Sequence, residues 1–126
     1  MNIYKLLMVG LGGFLGSVSR YVTVLSIDAR LNALYPYGTL AVNVIGSFLL
    51  GVIYTVAIRR AEMGEYWRLF LGIGFCGGFT TFSAYAWENF SLIQQKLIVT
   101  SLAYALGSVV AGLLALAAGV WVGRFL

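Results

Sequence analysis

Three long stretches of this chain contain no ionisable residue: none lies between Arg30 and Arg59, between Arg68 and Glu88, or between Lys96 and Arg124. Each gap can hold a helix of about 20 apolar residues, the length that crosses the hydrocarbon core of a bilayer. A fourth stretch, residues 3–25, is equally apolar but carries Lys5 near its start and Arg20 near its end, and so reads as a span with charged ends. With 61% hydrophobic and 10% charged residues, the 126-residue chain has the composition of an all-α integral membrane protein, not of a soluble domain. The pattern predicts helices over about 3–25, 38–58, 67–90 and 98–122, forming a single four-helix transmembrane domain over residues 1–126.

The loops between these spans are short. Pro36 followed by Gly38 suits a turn into a helix start, and Tyr35, Tyr37, Tyr66, Trp67 and Trp121 fall near span ends, where amphipathic rings prefer to sit. The N-terminal stretch continues past Arg20 without an A-x-A-like cleavage site, so a mature helix is expected there. One side of the membrane receives Lys5, Arg59, Arg60, Arg68 and Arg124, and the other receives Arg20, Arg30 and Lys96. That excess favours a cytoplasmic N-terminus only weakly, which suits an ordinary N-in protein and equally permits insertion in both orientations. The net charge of +4 is carried by residues that flank spans, so it points to anionic lipid headgroups and away from nucleic acid.

The residue inventory narrows function. There is no His, one Cys (Cys76), and the only acids are Asp28, Glu62, Glu65 and Glu88. No metal site of side chains and no nucleophile–base pair can be assembled from these, so the chain is not expected to be an enzyme. A proton-driven carrier needs an ionisable group well inside the membrane. Only Glu88 comes near, and its place toward the end of the third span suits an interfacial or helix-end role.

Small residues four apart, namely Gly12 with Gly16, Ser47 with Gly51, Gly74 with Gly78 and Ser108 with Gly112, let helix backbones approach closely. Four short-looped helices enclose little of a pore alone, so a partner is expected. In the second span Thr39, Asn43, Ser47 and Gly51 form one stripe at four-residue steps. Asn43 offers two N–H donors, which can replace water around a desolvated anion, or it can serve as interhelical glue. The third span reads Gly77-Gly78-Phe79-Thr80-Thr81-Phe82-Ser83-Ala84-Tyr85, a poor continuous helix, and a break is predicted there. Broken membrane helices expose carbonyls that suit a small cation such as Na+. Phe82 and Tyr85 share a helix face, where ring edges can attract an anion or the rings can simply pack. Thr100, Tyr104 and Ser108 place hydroxyls on one face of the fourth span, either as a polar track for an ion or as interhelical bonding. Arg20 lies about 22 Å along a helix from Lys5, at the opposite interface, where it either snorkels or concentrates anions in a vestibule.

Taken together, Gly12-Gly13-Phe14-Leu15-Gly16 with Arg20-Tyr21, Gly38-Thr39-Leu40 with Asn43 and Gly46-Ser47, and Gly77-Gly78-Phe79-Thr80-Thr81-Phe82-Ser83 resemble the Fluc family of fluoride channels, also called CrcB. The three blocks occur in order on the first three spans. The resemblance implies an antiparallel, dual-topology homodimer in the cell inner (plasma) membrane, with two fluoride pores each built from both subunits. It implies that Asn43, Phe82, Tyr85, Tyr104 and Ser108 line the pore and that Arg20 sits at its vestibule. It also implies a structural Na+ at the dimer interface, held by the backbone carbonyls of Gly77 and Thr80. One departure stands out: the family usually has Ser-Thr-Phe after the first pore Phe, and this chain has Ser83-Ala84-Tyr85. The expected activity is passive, fluoride-selective export from the cytoplasm. The alternatives are a small proton-coupled multidrug exporter, which would want a carboxylate in the first span, and a non-transporting membrane subunit whose polar stripes only bind helices.

Overall fold

The computed structural model describes residues 1–32 and 34–126. Helix α1 spans Ile3–Leu31 and α2 spans Tyr37–Arg59. The third span is composite: α3 (Glu65–Arg68), a π-helical segment (Leu69–Cys76), α4 (Gly77–Phe79) and α5 (Phe82–Gln94). Helix α6, Ile98–Gly123, completes the chain. All four spans are long and apolar enough to cross a bilayer, and no strand occurs among the described residues.

Helix α1 starts with the Asn2 side chain accepting from the Tyr4 N–H at 2.9 Å, a side-chain cap on an otherwise unsatisfied donor. It runs six residues beyond the predicted end at residue 25 and stops where Asn32 takes a left-handed conformation (φ 40°), its N–H donated to the Asp28 carbonyl. The sequence boundary was set by charge, and a helix can carry Asp28 and Arg30 beyond the apolar zone without ending there. The Asp28 carboxylate accepts from the Gly38 N–H at 3.0 Å and so ties the end of α1 to the start of α2. A Cβ on Gly38 would stand 2.8 Å from that oxygen and 3.0 Å from the Val24 Cα, so a larger residue there would push the Asp28 carboxylate aside.

Glycine-mediated contact builds the two tight seams of the bundle. On one, Gly12 and Gly16 of α1 lie against the Phe70 and Phe75 carbonyls of the π-helical segment, and a Cβ on Gly16 would stand 2.9 Å from the Phe79 amide. On the other, a Cβ on Gly51 of α2 would meet the Leu116 carbonyl of α6, and one on Gly119 the Phe48 carbonyl. Small residues thus bring backbone onto backbone, which supplies the packing contact that lipid tails cannot drive by exclusion. The buried interior is small and includes Val42, Cys76, Phe79, Leu92 and Tyr104, while Phe14, Leu106, Leu113, Leu114 and Trp121 face outward. A bilayer accepts that arrangement; water would not.

Between α4 and α5, Thr80 (φ −88°, ψ 160°) and Thr81 (φ −152°, ψ 123°) have extended backbone. Thr80 keeps a local partner, its hydroxyl donating to the Cys76 carbonyl at 2.9 Å. The Thr81 hydroxyl caps α5 by accepting from the Ala84 N–H at 3.2 Å. Two β-branched hydroxyl residues after a Gly-Gly pair thus supply both the stop of one helical piece and the start of the next.

Candidate functional site

A groove of about 520 Å³ runs along one face of the bundle, walled by α2, the third span and α6. Asn43, Ser47, Gly77, Thr80, Phe82, Tyr85 and Ser108 contribute to its lining. The four-residue spacing of Thr39, Asn43, Ser47 and Gly51 turns that whole stripe of α2 inward, toward α5 and α6.

Asn43 grips the extended backbone at Thr81 with two bonds. Its Oδ1 accepts from the Thr81 N–H at 2.7 Å, and its Nδ2 donates to the Thr81 carbonyl at 3.1 Å. An amide nitrogen carries two hydrogens, so this grip uses one of them. The N–H that a continuous helix would hand to the Gly77 carbonyl is that of Thr81, and here it is donated to Asn43. Gly77 is exposed, with nothing within 4 Å of a Cβ built on it. Opposite, the Thr80 methyl lies so close to Gly46 that a Cβ there would collide with it.

Aromatic rings continue from the groove toward the α1–α2 connection. Phe82 is 79% exposed, and its ring centroid is 5.6 Å from that of Tyr85. Tyr85 lies 5.2 Å from Tyr104, which meets Tyr35 edge-on at 5.3 Å. The Tyr85 hydroxyl donates to the Ala105 carbonyl of α6 at 2.9 Å. Burial, and then the neighbouring Tyr37, push the Tyr35 phenol above its ordinary value, so this loop ring stays neutral at physiological pH.

Tyr104 is fully buried and is not part of the groove wall. Its hydroxyl donates to Glu88 Oε2 at 2.6 Å, and the Thr39 hydroxyl donates to Glu88 Oε1 at the same distance. Glu88 lies toward the end of the third span, beside Leu34 and Pro36 of the α1–α2 connection, and its part-buried carboxylate accepts a hydroxyl from each neighbouring helix. Its signal in the sequence was the three-residue step from Tyr85, which puts it on the face of α5 that carries the rings. Ser108 contributes to the groove wall, and its Oγ is buried without a hydrogen-bond partner among the described residues. Arg20 is half-buried on α1 and does not line the groove. Six of the sequence-predicted site residues, Asn43, Gly77, Thr80, Phe82, Tyr85 and Ser108, thus share one groove. Tyr104 reaches it only through the Tyr85 ring. Among the described residues, no group of three or more His, Cys, Asp or Glu is placed to hold a metal ion.

Four membrane-length helices around a groove of neutral hydrogen-bond donors and aromatic rings define a small multi-pass membrane protein with an inward polar seam. Comparison with known proteins then identifies its family. The chain belongs to the family described as CrcB-like protein, Camphor Resistance (CrcB), which matches residues 7–120. A relative named Fluoride-specific ion channel FluC, from Solibacter usitatus (strain Ellin6076), is 41% identical over 122 residues, covering 97% of this chain and 97% of the relative. Proteins of the same name from Chlorobium chlorochromatii (strain CaD3) and Phocaeicola vulgatus are 42% and 43% identical, covering 96% and 95% of this chain and 93% and 98% of the respective relatives. The spans and the family together make this a multi-pass protein of the plasma membrane.

Proposed function

We propose that this chain is a passive, fluoride-selective ion channel, working as an antiparallel, dual-topology homodimer with two pores and carrying fluoride out of the cytoplasm. The observation that carries the reading is the seam around Asn43, where an amide, hydroxyls and ring edges gather with no full positive charge beside them. Fluoride is small and strongly hydrated, and it enters a narrow path only where donors replace the lost water. The second Asn43 amide hydrogen, the Ser108 hydroxyl and the edges of Phe82 and Tyr85 form such a set. Chloride is larger and fits a site of that spacing badly. The names of the relatives support the same ion. An ion channel is not an enzyme class, and no catalytic step is involved.

The exposure of Phe82 supports a second copy, because an outward ring joins a closed path only when another subunit supplies the facing wall. In this reading the extended pair Thr80-Thr81 is a functional break in the third span, and Tyr104 continues the track beyond the Tyr85 ring. Arg20 raises the local anion concentration at a vestibule.

A structural Na+ at the dimer interface suits the donor chemistry of this region. The Gly77 carbonyl has lost its helical donor to Asn43 at an exposed position, and neutral carbonyl oxygens suit a small hard cation. Gly77 and Thr80 would hold the ion through those oxygens. When bound, it would supply a fixed positive charge and a cross-link between the copies.

One observation favours the proton-coupled exporter, namely the carboxylate of Glu88 within the third span. Planar bilayer recording separates the two readings. A channel gives a current that reverses at the fluoride equilibrium potential whatever the pH gradient; an exporter gives fluxes that follow the proton gradient, and that result would overturn the proposal.

A further inference from the structure

Tyr85 lines the groove, and its hydroxyl is held in a particular way. The phenolic proton goes to the Ala105 carbonyl at 2.9 Å. That carbonyl lies inside α6 and has the amide four residues on as its helical donor, so it does not depend on Tyr85 for satisfaction. Rotation about the phenolic C–O bond can redirect the proton without moving the ring. Ala105 precedes Ser108 by three residues, about 4.5 Å along the axis and on the same helix face. Ser108 Oγ is buried with no hydrogen-bond partner among the described residues, so its proton is uncommitted and available to an acceptor. Tyr85 and Ser108 both line the groove.

We propose that the Tyr85 and Ser108 hydroxyls form a two-donor anion site on the α6 wall of the groove, with Tyr85 contributing its O–H in addition to its ring edge. The site rests on the fluoride-channel reading and deepens it. An arriving fluoride takes the Ser108 proton as a new bond and draws the Tyr85 proton away from Ala105. The ring keeps its contacts with Phe82 and Tyr104, so the backbone need not move. A phenylalanine at this position would present only carbon-bound hydrogens, so the tyrosine makes this wall of the groove bind fluoride more tightly than a ring alone would.

The test uses the full-length protein in liposomes and reads the fluoride concentration that half-saturates flux. Tyr85→Phe raises it about tenfold, the equivalent of one charge-assisted hydrogen bond. Ser108→Ala raises it similarly, and the double variant departs from the product of the two single effects, because donors in contact with one ion are coupled. An unchanged half-saturation in Tyr85→Phe, or effects that multiply, would overturn the site. Should Tyr85→Phe fail to fold, Ser108→Ala decides alone: its side chain holds nothing in the fold, so a folded variant with unchanged half-saturation overturns the proposal. Absence of fluoride flux in the unmodified protein would instead count against the channel reading itself.

Discussion

Replacing Asn43 with Asp changes one group of nearly unchanged size, and its consequences can be worked through from the two bonds to Thr81. The acceptor bond from the Thr81 N–H at 2.7 Å survives, since a carboxylate oxygen accepts as well as an amide oxygen. The donor bond to the Thr81 carbonyl at 3.1 Å is lost, and a negative oxygen then faces that carbonyl. The orphaned carbonyl costs about 1–3 kcal/mol of fold stability, which an α2–α6 seam built on close backbone contact can absorb. The larger effect falls on the ion. A carboxylate about 4 Å from a passing anion raises its energy by about 4 kcal/mol at the effective dielectric near protein charges, roughly a thousandfold in rate. Asn43→Asp is therefore expected to elute like the parent protein in detergent and to pass fluoride about a thousandfold more slowly through liposomes. A folded Asn43→Asp protein whose fluoride flux stays within about tenfold of the parent would refute this role and leave Asn43 as helix glue.

Further expectations concern the seams and the network behind the rings. Gly16→Ala forces a Cβ against the Phe75 carbonyl and 2.9 Å from the Phe79 amide, and should lower the detergent melting temperature, with a cost of about 1–3 kcal/mol. Gly10→Ala, on the same helix, has open space around the new methyl and should melt like the parent; equal losses in both variants would contradict the packing account. Glu88→Gln keeps the shape but removes the charge that receives the Thr39 and Tyr104 hydroxyls, and should destabilise by about 1–2 kcal/mol in thermal unfolding. Exhaustive exchange of Na+ for a large organic cation should abolish fluoride flux, with recovery on adding Na+ back; flux indifferent to that exchange would remove the proposed ion.

The number and placement of the spans were legible because each hydrophobic crossing is bounded by charge, as between Arg68 and Glu88. That same rule ended α1 too early, since Asp28 and Arg30 are helical residues beyond the apolar zone and the real stop is a left-handed Asn32. Glycine pairs such as Gly12 with Gly16 could be read as contact points, but not the carbonyls they meet. The inward stripe through Asn43 followed from helical period. Its grip on Thr81 did not, because pairing between residues 38 positions apart depends on how two spans are laid side by side. Glu88 was legible as a carboxylate near the end of the third span, but the hydroxyls it accepts from two different helices were not, for the same reason. Tyr85 was legible as a ring on the groove face, but the Ala105 carbonyl that receives its hydroxyl belongs to α6 and left no trace in the local sequence.

The most direct test of the account is electrode-detected efflux of fluoride, with chloride in parallel, from liposomes carrying the purified protein and an ionophore to dissipate voltage. The account predicts rapid fluoride release with chloride retained. Retention of fluoride by liposomes holding verified folded protein, or release of both ions alike, would contradict it.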